Sequence, residues 1–367
     1  MASRNTEPFL RMAGSSTADL TVFFEGTANT IDPLTTQIGL FFMLTDAFDV
    51  SGGSLGGAPL GQPRKMAFDG CGVTDGFCGT ICAKGLRRQC AQVRRQVDSL
   101  LSELEASASP RRLRVNAVGL SRGGIACAYL ATKAMADISG AACELNLLLF
   151  DPVPGDLLTV AQLDLFGLTN TWASCDVSSC LCLSRVLALY PYEPLPAIAC
   201  HAPVLCRFPD HTMVEEEVTL GCHQGALQVH RLGSDLASGL AFLRIRRWLM
   251  EVGTPLDHHH LALTVSVKEL EESCLQRCTG EAKKQRPSLR CSHSAFSYWG
   301  ATIVRHSPSS GLRFLNHHHR LLAAQPADDD EKWLLEIQPD KAPFPLGILV
   351  ILALTLLVVL VPVLSGQ

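Results

Sequence analysis

The sequence predicts an α/β protein: a mostly parallel sheet with helices on both faces, followed by a C-terminal membrane-spanning helix. Two observations carry the first part. Short apolar runs of strand length alternate with segments of helical periodicity through the first 150 residues. Hydrophobic residues make up 47% of the 367 and charged residues 18%, enough apolar material for a sizeable core. A third carries the anchor: Leu346 to Leu364 contains no charged residue at all.

The first run, Asp19 to Glu25, holds β-branched and aromatic residues and stops at Gly26, which suits a buried parallel strand. A glycine-rich, loop-like stretch follows from about Ser51 to Gly85. Arg87 to Ala106 reads as an amphipathic helix, with Val93, Val97, Leu100, Leu101 and Leu104 on one stripe and Pro110 beyond its end. Leu113 to Leu120 is the next strand, Ile125 to Ile138 an alanine-rich helix, and Glu144 to Phe150 a third buried strand. The order is β-α-β-α-β, that of a parallel sheet with crossover helices. Between Pro152 and Pro209 no period stands out. Val214 to Leu220 is a further strand and Leu236 to Val252 a further helix, and beyond Gly253 the chain turns polar and loop-rich.

Residues 1–18 lack an apolar core after a basic start, so they are expected to be a disordered N-terminus and not a secretory signal. Residues 19–325 form one α/β domain, 326–345 a linker, and 346–364 a transmembrane tail anchor. A helix of that length rises about 28 Å, close to the thickness of a bilayer core. Buried core helices, the alternative, are usually shorter and amphipathic. The main domain precedes the span, with Lys332 and Lys341 on the near side, so the expected arrangement is single-pass with the domain in the cytosol. The fifteen cysteines are odd in number and without an export signal, so most read as reduced thiols, Cys127 and Cys143 as small core residues. The net charge of -4 and the lack of a basic, aromatic-interleaved run exclude nucleic acid as a main partner.

The strongest chemical signal is Gly119-Leu120-Ser121-Arg122-Gly123, between a strand and an alanine-rich helix. A serine on so tight a turn projects its hydroxyl from the carboxyl edge of the sheet, and only small residues fit two places before and after it. The helix beyond offers N–H groups and a positive dipole end to a developing oxyanion. The alternative is a glycine-rich turn that packs the helix closely or binds a phosphate. A serine needs a base, and the base an orienting acid. Asp151 directly follows its strand, at the same sheet edge as Ser121. Twelve histidines compete as base. His223 is preferred because it follows the strand Val214–Leu220 through a small-residue loop. His211 precedes that strand, His201 lies in an unassigned loop, and His258–His260 and His317–His319 are polar clusters. Gly26 and Thr27, after the first strand, with the N–H of Arg122, are the candidate oxyanion hole.

No metal site is expected. Cys274, Cys278, Cys291 and His293 fit no common zinc spacing, and Cys175, Cys180 and Cys182 are as loose. No phosphate loop or dinucleotide fingerprint follows a strand, so no cofactor is expected either.

Together these landmarks resemble an α/β-hydrolase family once catalogued as a domain of unknown function, which includes the catalytic domain of type VI secretion phospholipase effectors. That family carries F-D-G-T-x-N, G-F-S-R-G, D-T-V and a later G-x-H. This chain has Phe24-Glu25-Gly26-Thr27-Ala28-Asn29, Gly119-Leu120-Ser121-Arg122-Gly123, Asp151-Pro152-Val153 and Gly221-Cys222-His223, with a weak match at Leu315–Arg320. The resemblance spans roughly residues 19 to 320. It implies an α/β-hydrolase-like fold, a Ser121–Asp151–His223 triad and hydrolysis of carboxylic esters, phospholipids among them. Three residues depart from the pattern: Glu25 for aspartate, Pro152 for threonine, and Gln224 where the family has serine. The competing expectation is a tail-anchored interaction protein that keeps the fold without catalysis; acyl transfer to an acceptor other than water is a third.

Overall fold

The computed structural model describes residues 17–52, 61–74, 85–107, 112–153, 176–193, 204–222, 227–232, 234–257, 267–270, 272–273, 297–298, 301–302 and 313–314. Its strands include β1 (Thr17–Phe24), β2 (Phe48–Asp49), β3 (Arg64–Phe68), β4 (Arg112–Leu120), β5 (Cys143–Phe150), β6 (Leu183–Glu193), β7 (Val204–Leu205) and β8 (Met213–Cys222). Among the described residues seven of them form one sheet in the order β2-β3-β1-β4-β5-β6-β8, and every neighbouring pair is parallel. β7 stands apart and pairs antiparallel with Arg313–Phe314.

Among the described residues the α-helices that cover the sheet include α1 (Gln37–Leu44), α2 (Leu86–Ala106), α3 (Arg122–Tyr129) and α4 (Leu236–Glu251). On one face Val93, Val97 and Leu104 of α2 and Ile125 and Cys127 of α3 pack with Leu20, Val22, Val115, Ala117, Leu145 and Leu147. On the other, Ile38 and Phe41 of α1 and Phe242, Ile245 and Trp248 of α4 pack with Phe23, Val118, Leu148 and Leu187. Side chains alternate along each strand, so a strand buried on both faces needs hydrocarbon at nearly every position. That is why the carboxyl halves of β4 and β5, residues 117–120 and 147–150, read as continuous apolar runs. The Thr36 hydroxyl caps α1 by accepting from the Gly39 N–H at 3.2 Å, and the Asp235 carboxylate caps α4 by accepting from the Ala237 N–H at 3.1 Å.

A polar row interrupts the apolar layers. Thr21, Asn116 and Asn146 lie opposite one another on β1, β4 and β5. Asn146 Nδ2 donates to Asn116 Oδ1 at 3.0 Å, and Asn116 Nδ2 donates to the Val252 carbonyl at 3.2 Å and to Thr254 Oγ1 at 3.0 Å. The row thereby ties the end of α4 to the middle of the sheet.

The structure differs from the sequence reading in five places. α1 is eight residues of nearly unbroken hydrocarbon, too short and too uniform to show a helical period. β3 lies inside the stretch expected to be a loop; its Arg64 and Lys65 disguise it. They are satisfied locally, Arg64 by Glu103 at 2.7 Å and Lys65 by the Phe42 and Thr45 carbonyls at 2.9 and 2.7 Å. β6 holds Pro191, which is accommodated beside a register shift between Pro191 and Glu193 against β8. The helix expected to run to Ile138 leaves α geometry at Leu130 for a π turn, Leu130–Ala134. β1 begins at Thr17, two residues before the expected start. Cys127 and Cys143 are buried free thiols. The expected membrane span at 346–364 and the linker before it lie outside the described residues, among which no helix is long and apolar enough to cross a membrane.

Candidate active site

Ser121 joins β4 to α3 with φ 57° and ψ -117°, a backbone conformation that costs a non-glycine residue energy. The surroundings hold it there. Its N–H donates to the Phe150 carbonyl at 2.9 Å, and its own carbonyl accepts from the Ile125 N–H at 3.3 Å. Its hydroxyl does not cap α3. The cramped turn explains both flanking glycines. A Cβ on Gly119 would stand 2.1 Å from the Gly123 carbonyl oxygen; one on Gly123 would stand 2.2 Å from the Phe24 carbonyl oxygen. Both obstacles are backbone, so neither can turn aside. Gly123→Ala is therefore expected to destabilise the fold by about 3 kcal/mol, read as a lower urea midpoint at unchanged m-value.

The sheet order puts this turn at a particular place. From β1 the chain proceeds to β2 and β3 on one side, whereas β4, β5, β6 and β8 build the other. The crevice at the carboxyl ends of β1 and β4 is thus the switch point, where open parallel sheets bind ligands. Leu120 of β4 is opposite Phe150 of β5, so Ser121 and Asp151 leave adjacent strands side by side. Asp151 is 3% exposed, has φ 43°, and its N–H donates to the Leu189 carbonyl at 2.8 Å.

His223 follows Cys222, the last residue of β8, and itself lies outside the described residues, as do His201, His258–His260 and His317–His319. His211 is exposed in the turn before β8, at the amino edge of the sheet. His230 is exposed in the turn Val229–Arg231, beside Thr35, and neither it nor His211 hydrogen-bonds to Ser121.

The connection from β1 to α1 forms the other wall. The Gly26 N–H donates to the carboxylate of the preceding residue, Glu25 Oε2, at 3.1 Å. That leaves Thr27, whose N–H makes no backbone hydrogen bond among the described residues. The Thr27 hydroxyl accepts from Arg122 Nη1 at 3.0 Å, linking this loop to the first residue of α3. Farther along, the Ile31 N–H donates to Asp69 Oδ1 at 2.7 Å, and the Gly70 N–H to the Asn29 carbonyl at 2.8 Å. A Cβ on Gly70 would stand 1.7 Å from the Gly26 carbonyl oxygen, so the two loops touch backbone to backbone.

Glu25 is 2% exposed and makes no ion pair among the described residues. Burial pushes its carboxyl up to about 7, against hydrogen bonds from the Thr36 hydroxyl, the Gly26 and Gly39 N–H groups and the Asn29 side chain, which pull it down. Sequence reasoning marked this residue only as a departure from a motif. Its main partner, Thr36, is eleven residues away and meets it only because α1 exists. Among the described residues no three His, Cys, Asp or Glu side chains are arranged to hold a metal ion. Cys180 and Cys182 are buried with their sulfurs 3.6 Å apart; Cys274, Cys278, Cys291 and His293 lie outside the described residues.

No protein-family model matches the chain, and no curated protein is similar to it at a significant level. Solved structures are similar to it. The Tle1 effector bound to the VgrG spike of the Type 6 secretion system aligns at 14% identity and TM-score 0.36, over 59% of this chain and 52% of that one. An uncharacterized protein from Pseudomonas aeruginosa aligns at 12% identity and TM-score 0.45, over 89% and 60%. The Pyrococcus horikoshii acylaminoacyl peptidase aligns at 12% identity and TM-score 0.31, over 65% and 37%. The chain spans about half to three fifths of the length of the first two.

Proposed function

We propose that this chain is a serine hydrolase that cleaves carboxylic esters, with phospholipids as the favoured class, and that segment 346–364 holds it at a membrane. The observation that carries the reading is Ser121 itself. It occupies a strained turn between a buried strand and a helix, at the sheet's switch point, with Asp151 leaving the neighbouring strand beside it. In this reading the Ser121 hydroxyl attacks the ester carbonyl while the His223 imidazole takes its proton. Asp151 holds the imidazole tautomer and offsets the charge. The oxyanion accepts from the N–H groups of Thr27 and Arg122. The alcohol leaves with the proton returned by His223, and water then attacks the acyl-serine by the same route to release the acid. A lipid ester would reach the site from the bilayer that holds the tail.

A fluorophosphonate probe tests the reading, because it reacts with an activated serine irrespective of the acyl group. The full chain in detergent is expected to be labelled at Ser121 and Ser121→Ala to remain unlabelled. If the wild type takes no label, or the alanine variant takes as much, the chain is a scaffold with a hydrolase-like turn.

A further inference from the structure

Resting on the serine-hydrolase reading, we propose that Glu25 is a positioning residue that sets the oxyanion-binding loop, by clasping the first residue of that loop to the last.

The loop between β1 and α1 enters the crevice beside Ser121, and a single side chain spans its two ends. Glu25 Oε2 accepts from the Gly26 N–H at 3.1 Å, where the loop begins. Glu25 Oε1 accepts from the Thr36 hydroxyl, where it ends. Thr36 in turn accepts from the Gly39 N–H at 3.2 Å, so the clasp reaches into the first turn of α1. Glu25 cannot drift relative to the nucleophile. Its N–H donates to the Phe68 carbonyl at 3.1 Å, and its own carbonyl oxygen lies 2.8 Å from where a Cβ of Gly123 would stand, directly under the Ser121 turn.

Thr27 is the next residue after the clasped Gly26. With the Gly26 N–H committed to the carboxylate, the Thr27 N–H is the donor this part of the loop offers to an oxyanion. Its position is bounded on one side by Glu25 and on the other by Arg122 Nη1 on its hydroxyl. A carboxyl buried just past the end of a strand, without a cation among the described residues, is a poor device for stability alone, since an apolar side chain would not need desolvating. Strained or costly groups of this kind cluster where geometry matters to chemistry.

The test is steady-state kinetics of the full chain in detergent on a soluble p-nitrophenyl ester. Glu25→Ala is expected to lower kcat about 100-fold with KM within about threefold, the loss typical of one misplaced oxyanion donor. Thr36→Val cuts the other end of the clasp and should lower kcat comparably. The double variant should be no worse than the poorer single one, because both break the same connection. Glu25→Gln can still accept from Gly26 and donate to the Thr36 oxygen, and should recover kcat to within about tenfold of wild type. The proposal is overturned if Glu25→Ala keeps kcat within threefold of wild type, or if the two single losses multiply. Should Glu25→Ala fail to fold, Thr36→Val decides alone. A wild type that hydrolyses no ester and takes no phosphonate overturns the hydrolase reading and this proposal together; an active wild type with an equally active Glu25→Ala overturns only this one.

Discussion

Conversion of Ser121 to alanine is expected to lower kcat on a carboxylic ester by about four to six orders of magnitude while KM changes little. In the proposed mechanism the hydroxyl forms the new bond, so no neighbouring group replaces it. What survives should be the acceleration due to substrate binding and oxyanion donors, about 10³-fold over water. The fold should be indifferent. Alanine keeps the Cβ, the backbone bonds of residue 121 to Phe150 and Ile125 are unchanged, and the serine hydroxyl caps nothing. Asp151→Asn should fall almost as far, about 10⁴-fold, because an amide facing the imidazole favours the wrong tautomer. Circular dichroism on both variants should overlay on wild type, and the residual rates separate chemistry from binding.

The second large effect is on stability. A carboxyl that ionises near 4.5 when unfolded and near 7 when folded makes the folded state the better proton binder in between. Below the lower value Glu25 is neutral in both states and costs nothing through charge. As pH rises through the interval the unfolded chain loses its proton first, and stability falls. Above about pH 7 the loss levels off at about 3 kcal/mol. The wild type should therefore unfold at a lower urea concentration at pH 8 than at pH 5. Other groups titrate in the same range, so Glu25→Gln is the reference: its advantage over wild type should grow by about that amount between the two pH values. An advantage independent of pH would mean that Glu25 ionises normally in the fold.

How far the sequence could be read depended on whether each element had to declare itself locally. β1, β4 and β5 are buried on both faces, so their carboxyl halves are unbroken runs without a charged residue and read as strands. α2 is long enough for its stripe to repeat across six turns of side chains. α1 and β3 are short, and the partners that satisfy Lys65 and Arg64 come from elsewhere in the chain, so nothing local distinguishes them from loop. Ser121 was legible because a turn that tight admits only glycine at 119 and 123. Asp151 was legible because a residue that ends a parallel strand points at the common edge. The oxyanion wall was less so. Gly26 and Thr27 looked equivalent as donors, and only the position of the Glu25 carboxylate distinguishes them.

The row formed by Thr21, Asn116 and Asn146 has a consequence for how the site comes to exist. Leucine recurs at 145, 147 and 149 on one side of β5, so β4 could slide by two residues against it and each hydrocarbon group would still meet hydrocarbon. Such a slide, bringing Asn116 opposite Leu148, would put Asn146 opposite Arg114 and part the two amides, at about 1–3 kcal/mol for each orphaned group. The amides therefore index the strands like teeth in a ratchet, and only one setting closes. That setting brings the ends of β4 and β5 level, so Ser121 and Asp151, the proposed nucleophile and its acid, are aligned by a pair of asparagines set back from them within the sheet.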